Sequence, residues 1–385
     1  MEQTKIPQCY KQTSIGIIPE DWEVKRIDEI APLQRGFDLP MNNIVSGNHP
    51  VVFSNGILKF HNEFKAKAPG IVTGRSGTIG KVFYITEDYW PHNTSLWVTN
   101  FIGSKPKYVF YLFNYLNFNR FGSGSGVPTL NRNDIHPYKI PLPPLPEQQK
   151  IAEILSTWDK AIELCQKTIE ELKQRNKGLA QQLLSGKTRV KGFEDTVWRF
   201  TKIGDILVES NLPSVNQSHP DKRITVKLNL KGIEKREFRG TEVEGATYFY
   251  TRKAGQFIYG KQNLHKGAFG IIPIELNNYD SSSDIPAFDF KEKFNSKFIL
   301  YFFSRKSFYE RLENYSTGTG SKRIQPKELF KIEIKIPNIE EQEKIAEILD
   351  TAAFELKHYE EKLQNLKLQK KGLMQQLLTG KVRTV

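Results

Sequence analysis

Two stretches of this 385-residue chain, Ile140 to Val190 and Ile334 to Thr384, align without a gap at a separation of 194 residues. Between Lys150 and Arg189 the copies agree at 19 of 40 positions, yet from Trp158 to Glu171 they agree at none. A period this long means that one structural unit is built twice, which restricts the fold more than composition does. The variable middle keeps only a heptad. Its apolar positions are Ile151, Leu155, Trp158, Ile162, Cys165, Ile169, Leu172, Leu179 and Leu183. The second copy runs Ile345, Leu349, Ala352, Leu356, Tyr359, Leu363, Leu366, Leu373 and Leu377, with Lys370 in the slot of Asn176. Steps of three and four keep a narrow apolar stripe against a partner helix, the pattern of a coiled-coil seam.

Each helix, of about 38 residues, is expected to be about 57 Å long. Pro146 and Glu147 signal the first start; Asn338, with Glu341 three residues on, signals the second. Gly186 and Gly380 are the expected stops. Helix one ends where the second half of the chain begins, and helix two begins where that half ends, so both of those ends meet one globular domain. The helices are therefore expected to pack antiparallel about a pseudo-dyad, with Trp158 opposite Lys370 and Asn176 opposite Ala352.

The repeat extends beyond the helices. Trp22, Ile27 and Ile30 match Trp198, Ile203 and Ile206 at an offset of 176, and Ser123-Gly124-Ser125-Gly126 matches Thr317-Gly318-Thr319-Gly320 at 194. Matching ends around unlike interiors indicate a shared frame with two different contents. In the first interior, PVVFSNGILKF, GIVTG, GKVFYI and TSLWVTN read as strands and turns, and KPKYVFYLFNYLNF as a helix. In the second, ATYFYTRKAGQFIYGK and GAFGIIPIEL read as strands, and NSKFILYFFSRKSFYERL as a helix. The expected class is α+β: two mixed domains separated by a long antiparallel two-helix coiled coil, with an internal pseudo-twofold repeat. The boundaries are 1–146 and 187–340 for the domains, 147–186 and 341–380 for the helices.

Net charge is +13. Residues 1–146 carry 15 basic and 11 acidic side chains and residues 191–340 carry 25 and 19, so most of the excess sits on the globular parts, as suits a polyanionic partner. The two cysteines, Cys9 and Cys165, provide neither a disulfide framework nor a zinc site. No signal-peptide pattern and no apolar run of 18 residues occurs, so a cytoplasmic protein without membrane contact is expected.

Enzymatic signatures are lacking. Gly186-Lys187-Thr188 resembles the end of a P-loop, but Gln181 replaces the first glycine and the stretch follows a helix. Asn277-Asn278-Tyr279 is not the Asn-Pro-Pro-Tyr loop of amino-methyltransferases. Asp38 with Glu63-Phe64-Lys65 fits a loose nuclease spacing, better read as solvated charge. A stand-alone nuclease or methyltransferase, a bare coiled-coil scaffold and an RNA binder are the rival readings. The chain's own residues fit DNA instead. Arg75, Ser76, Thr78 and Lys81 lie on a Gly-rich turn between strands; Lys261, Gln262, Asn263 and Lys266 are their counterparts. Glycines let backbone amides approach phosphate, and Arg or amide side chains can read base edges. Arg35, Asn93, Arg132, Lys322 and Arg323 complete the expected DNA contacts.

PLPPLPEQQKIAEIL and GLAQQLLSGK, their second copies, and the start IGIIPEDWEVKRIDEI resemble the specificity subunit of type I restriction–modification systems, the HsdS family. VTGRSGTIGKVFY and YGKQNLHKGAFGIIP are similar to segments of its target-recognition domains. The likeness runs along the whole chain. It implies a non-catalytic subunit whose two domains each read half of a bipartite, asymmetric duplex DNA target. It also implies two methyltransferase subunits docked on the helical frame and two motor-nuclease subunits. S-adenosylmethionine, ATP and Mg are then expected on those partners, with no cofactor in this chain. Helix ends that agree while the middle varies suit docking of one partner at each end. The expected partner contacts are Glu147, Gln148, Gln181 and Gln182, and Glu341, Gln342, Gln375 and Gln376.

Overall fold

The structure, a computed structural model, describes residues 6–123, 126–210, 214–215, 218–237, 248–318 and 322–384. The chain divides into two compact units, Met1–Lys167 with Glu360–Val385, and Thr168–Tyr359. Each unit thus holds one globular domain with the start of one long helix and the end of the other.

In the first unit, Glu23–Arg26 pairs antiparallel with Lys139–Leu142, joining the beginning of the domain to its end. This pairing seats Trp22, fully buried, beside the start of the long helix. Beyond it lies a four-stranded sheet of β1 (Leu33–Arg35), β2 (Gly70–Gly74), β3 (Val82–Ile85) and β4 (Ser95–Val98). Its order is β1-β4-β2-β3, antiparallel throughout. Every residue of β2 is buried, which a near-continuous apolar run such as GIVTG requires. Helix α1 (Pro106–Leu116) buries Tyr108, Val109, Leu112, Phe113 and Leu116 in the core shared with Ile71 and Leu96 of the sheet. A smaller sheet pairs His49–Phe53 with Gly56–His61 and Trp90–Pro91.

The second unit repeats the plan. Arg199–Lys202 pairs with Glu333–Ile336 beside the buried Trp198. Strands β5 (Leu207–Glu209), β6 (Phe257–Tyr259), β7 (Phe269–Ile271) and β8 (Ala287–Phe290) form a sheet of order β5-β8-β6-β7. The two sheets have one topology, so the interiors, unlike in sequence, share a fold that the repeated ends alone did not reveal. Phe257, Phe269 and Phe308 meet Phe303 edge-on, with centroids 5.0, 5.8 and 5.0 Å away, so this core is built on aromatic packing.

The expected helix over Asn295 to Leu312 is instead broken. Helix α3 (Ser296–Phe303) stops at Ser304, where Arg305 is extended and its Nη1 donates to Leu184 O at 2.8 Å. Ile274–Leu276, expected as strand, is a 3-10 turn entered through Pro273, which has no amide hydrogen for a sheet.

The long helices are α2 (Leu145–Leu183) and α4 (Ile339–Leu378). Gly186 and Gly380 stop them with φ of 71° and 72°, left-handed values that favour glycine. Asn338 Oδ1 accepts from Glu341 N at 3.1 Å, the expected cap. Antiparallel pairing is evident in each unit. In the second, Asn176 Nδ2 donates to Ala352 O at 2.8 Å, the facing pair expected from the pseudo-dyad. In the first, Lys370 forms an ion pair with Asp159 and its ammonium lies 5.2 Å from the Tyr111 ring. Cys165 is buried on the stripe, as its heptad position requires. Among the described residues, no helix is long and apolar enough to cross a membrane.

Candidate nucleic-acid interface

The loop after β2 begins with Arg75 and is fixed by its backbone. Arg75 N donates to Thr94 O at 2.9 Å, its carbonyl accepts from Leu130 N at 2.8 Å, and Gly77 N donates to Pro128 O at 3.0 Å. Gly74 lets the loop turn back on itself, because a Cβ there would lie 1.8 Å from Thr78 O. The loop therefore holds its shape without using the polar side chains it carries.

Arg35, Arg75 and Arg132 come together as walls of one cleft of about 550 Å³, with Gln34, Asp38, Thr129 and Asn131. The side chains arrive from three separate elements: the end of β1, the loop after β2 and the short helix Arg132–Ile135. Three guanidinium groups on one cleft offer the planar donor forks that suit phosphate and guanine edges. Asp38 is the local counter-charge. It accepts from Arg35 Nη2 at 3.2 Å and from Asn93 Nδ2, so neither of these is idle in the free protein. Ser76, Thr78 and Lys81 lie further along the loop and do not line the cleft.

The second unit presents the same backbone with other side chains. Lys261 N donates to Asp284 O at 2.9 Å and Lys261 O accepts from Ile324 N at 2.8 Å, repeating the two bonds of Arg75. Gln262 and Asn263 follow in the turn, and Lys266 in the 3-10 helix Leu264–Lys266. Arg323 Nη2 meets Asp284 Oδ2 at 3.3 Å, which brings Arg323 to Lys261 through one acidic residue. Lys322 instead pairs with Glu313 at 3.8 Å. Glu209 ends β5 where Arg35 ends β1, so the sign of charge is reversed at equivalent strand ends. Of the matched Ser/Gly turns, Gly124, Ser125, Thr319, Gly320 and the adjoining Ser321 lie outside the described residues.

Sequence reasoning missed Gln34, Thr129 and Asn131. The available signal was their adjacency to Arg35 and Arg132. It also weighed Asp38 as a metal ligand, whereas the carboxylate is hydrogen-bonded to Arg35 and Asn93.

A correction concerns the expected partner contacts. Glu147, Gln148, Glu341 and Gln342 are at most 1% exposed, so their side chains do not form an outer docking surface. Glu147 accepts from Trp22 Nε1 at 2.8 Å and from Arg383 through Nε at 2.8 Å and Nη2 at 3.0 Å. Glu341 accepts from Trp198 Nε1 at 3.2 Å and from Arg189 through Nε at 2.9 Å and Nη2 at 2.7 Å. Each is a Trp–Glu–Arg clasp, and its hydrogen-bonded carboxylate holds the guanidinium above its ordinary pKa. Gln148 Oε1 accepts from Lys105 N at 2.8 Å and Gln342 Oε1 from Asn295 N at 3.0 Å, tying each long-helix start to the cap of α1 or α3. Gln181, Gln182, Gln375 and Gln376 are exposed.

A family model described as the type I restriction modification DNA specificity domain matches residues 19–174 and again 201–367. The putative type I restriction enzyme MjaX specificity subunit of Methanocaldococcus jannaschii is 26% identical over 421 residues, covering 97% of this chain and 96% of that protein. The fold is similar to that of a type I restriction-modification S subunit from M. genitalium, with a TM-score of 0.59 at 16% identity over 93% of this chain and 96% of that one. It is also similar to that of an HsdS subunit from Thermoanaerobacter tengcongensis, with a TM-score of 0.51 at 15% identity over 95% of this chain and 98% of the other.

Proposed function

The chain belongs to the type I restriction modification DNA specificity family, and from that premise we propose that it reads a bipartite, asymmetric duplex DNA target, one half-site per unit. The observation that carries this reading is the pair of loops led by Arg75 and Lys261. Their backbones are held by the same two hydrogen bonds, to Thr94 and Leu130 in one and to Asp284 and Ile324 in the other. Equivalent scaffolds with different side chains approach DNA in the same way and prefer different bases. In the first unit Arg35, Arg75 and Arg132 supply phosphate and base contacts. In the second, Lys261, Gln262, Asn263, Lys266, Lys322 and Arg323 do so, the amides suiting adenine.

On contact with a phosphate or base edge, Arg35 exchanges Asp38 for the nucleic acid. Arg323 makes the same exchange away from Asp284. Each carboxylate holds its arginine in place beforehand and disfavours a loosely matched polyanion. The chain itself catalyses no reaction. It directs methylation, and ATP-dependent cleavage, by methyltransferase and motor-nuclease partners that carry S-adenosylmethionine, ATP and Mg, in the cytoplasm.

The test is methylome sequencing of a host expressing this chain with its cognate methyltransferase subunit, alongside an Arg75→Ala variant. One gapped, asymmetric motif is expected for the natural chain. The variant should relax one half of that motif only, at a cost of about 1–3 kcal/mol in binding. An unsplit motif, or no motif that depends on this chain, would sink the proposal. Uniform weakening on every sequence would reassign Arg75 to phosphate.

A further inference from the structure

In each unit a hairpin is fastened to the loop that is proposed to meet DNA. In the second, Ile224–Val226 pairs antiparallel with Ile233–Lys235, and the chain reverses at Leu228–Lys231, where Lys231 N donates to Leu228 O at 3.3 Å. This tip is tied to the turn that carries Lys266. Asn229 N donates to Lys266 O and Leu230 N to Gly267 O, both at 2.9 Å. A Cβ at Gly267 would press on Leu230 N at 3.1 Å, so the close approach relies on glycine. In the first unit His49–Phe53 and Gly56–His61 turn through Ser54 and Asn55. Ser54 N donates to Thr94 Oγ1 at 3.3 Å, and Thr94 O accepts from Arg75 N.

The two tips differ in kind. Asn55, at the tip in the first unit, is exposed and polar. In the second, Asn229 and Leu230 have φ of 59° and 58°. Positive φ at both central positions is what a type I′ turn requires, and Asn-Gly is the pair that fills it without strain. Asparagine suits its place, but leucine puts a bulky side chain in the left-handed region, a conformation kept only where something holds it. Leu228 and Leu230 are 41% and 40% exposed, so burial in the core does not account for them. One exposed leucine is ordinary; two on a strained tip, flanked by the exposed Lys227 and Lys231 and tied to the Lys266 turn, form an apolar face rimmed with positive charge. Lys227 pairs with Glu234 at 2.6 Å.

We propose that Leu228 and Leu230 are a second reading element of the second unit, one that recognises the C5-methyl group of thymine in the major groove. The proposal rests on the DNA reading above and deepens it. Among base edges in that groove the thymine methyl is the apolar feature, and an apolar side chain is its natural contact. The neighbouring turn carries Gln262 and Asn263, whose amides suit adenine. Adenine and thymine are the two members of one base pair. The bonds from Asn229 and Leu230 to Lys266 and Gly267 fix the leucines relative to those amides, so both members of an A·T pair can be read together. Lys231 and Lys266 then supply phosphate contacts at the edge of the same patch.

The test uses the full chain and duplexes carrying its methylated motif, with single thymines of the second half-site replaced by deoxyuridine. That exchange removes one methyl group and keeps every hydrogen bond of the base pair. The natural chain is expected to bind at least one such duplex about fourfold more weakly, the worth of a buried methyl group. Leu230→Gly restores the Asn-Gly pair, so its thermal midpoint should not fall, yet its preference for thymine over uracil should shrink. Leu228→Ala should do the same, and the double variant should lose the preference while keeping that for the first half-site. A natural chain indifferent to the exchange, or a second half-site without an A·T pair, overturns the leucine assignment and leaves the DNA reading intact. So does a folded double variant that still prefers thymine as the natural chain does. A natural chain that selects no duplex overturns both.

Discussion

Glu147 and Glu341 show how one side chain can look alike in a sequence for a reason the sequence does not disclose. Both stand in a repeated Glu-Gln pair at a helix start, where an exposed acid is favourable to the helix dipole. Burial makes them anchors instead, and the groups responsible lie far off in the chain. Trp22 is 125 residues from Glu147, and Arg383 is 236. Separations of that size are invisible to local pattern, although Trp22 and Trp198 were themselves legible as repeated marks. Removing one member of such a pair strands the other, at about 3–5 kcal/mol for a buried ion pair. Glu147→Ala should cost close to the lower figure, because Arg383 keeps its bond to Asp21 at 2.7 Å. Arg383→Ala should cost more, leaving a carboxylate 1% exposed with the indole N–H as its remaining side-chain donor. Urea denaturation of both single variants and the double variant checks this. Strict additivity in the double variant would show that the two residues do not act as a pair.

At the scale of elements, strands, long helices and their stops were readable because each has a local cause: apolar periodicity, a cap or a left-handed glycine. The antiparallel pairing followed from connectivity alone, and Asn176 facing Ala352 confirms it within the second unit. What could not be read was where a loop is pinned. Gly74 looked like one of several turn glycines, yet its lack of a side chain is what admits Thr78 O. The break at Ser304 was equally hidden, since Arg305 caps a carbonyl 121 residues away. Gly74→Ala must move the Arg75 loop, with overpacking of about 1–3 kcal/mol. The first half-site should lose at least about tenfold in affinity, the equivalent of about 1.4 kcal/mol, while the second is kept. Competition binding with duplexes altered in one half-site at a time measures this. Equal loss at both half-sites would mean that the loop is not the local reader.

For the whole molecule, the decisive property is that frame and contents are separable. The strand pairs Glu23–Arg26 with Lys139–Leu142 and Arg199–Lys202 with Glu333–Ile336 close their domains in the same way, each beside a Trp–Glu–Arg clasp. The segment between such a pair can therefore be exchanged without altering a clasp or a helix seam. A chain in which residues 203–332 are replaced by residues 27–138 keeps both clasps and carries the Arg35, Arg75 and Arg132 cleft twice. It should fold with a thermal midpoint within a few degrees of the natural chain, as about 1 kcal/mol corresponds to about 2–4 °C for a unit that is half of the chain. Its methylated motif should carry one half-site sequence at both ends, with the length of the gap unchanged. A folded chimaera that still selects the natural second half-site would place recognition in the frame or in a partner. A changed gap would show that the domains, and not the helices alone, set the distance between the two readings.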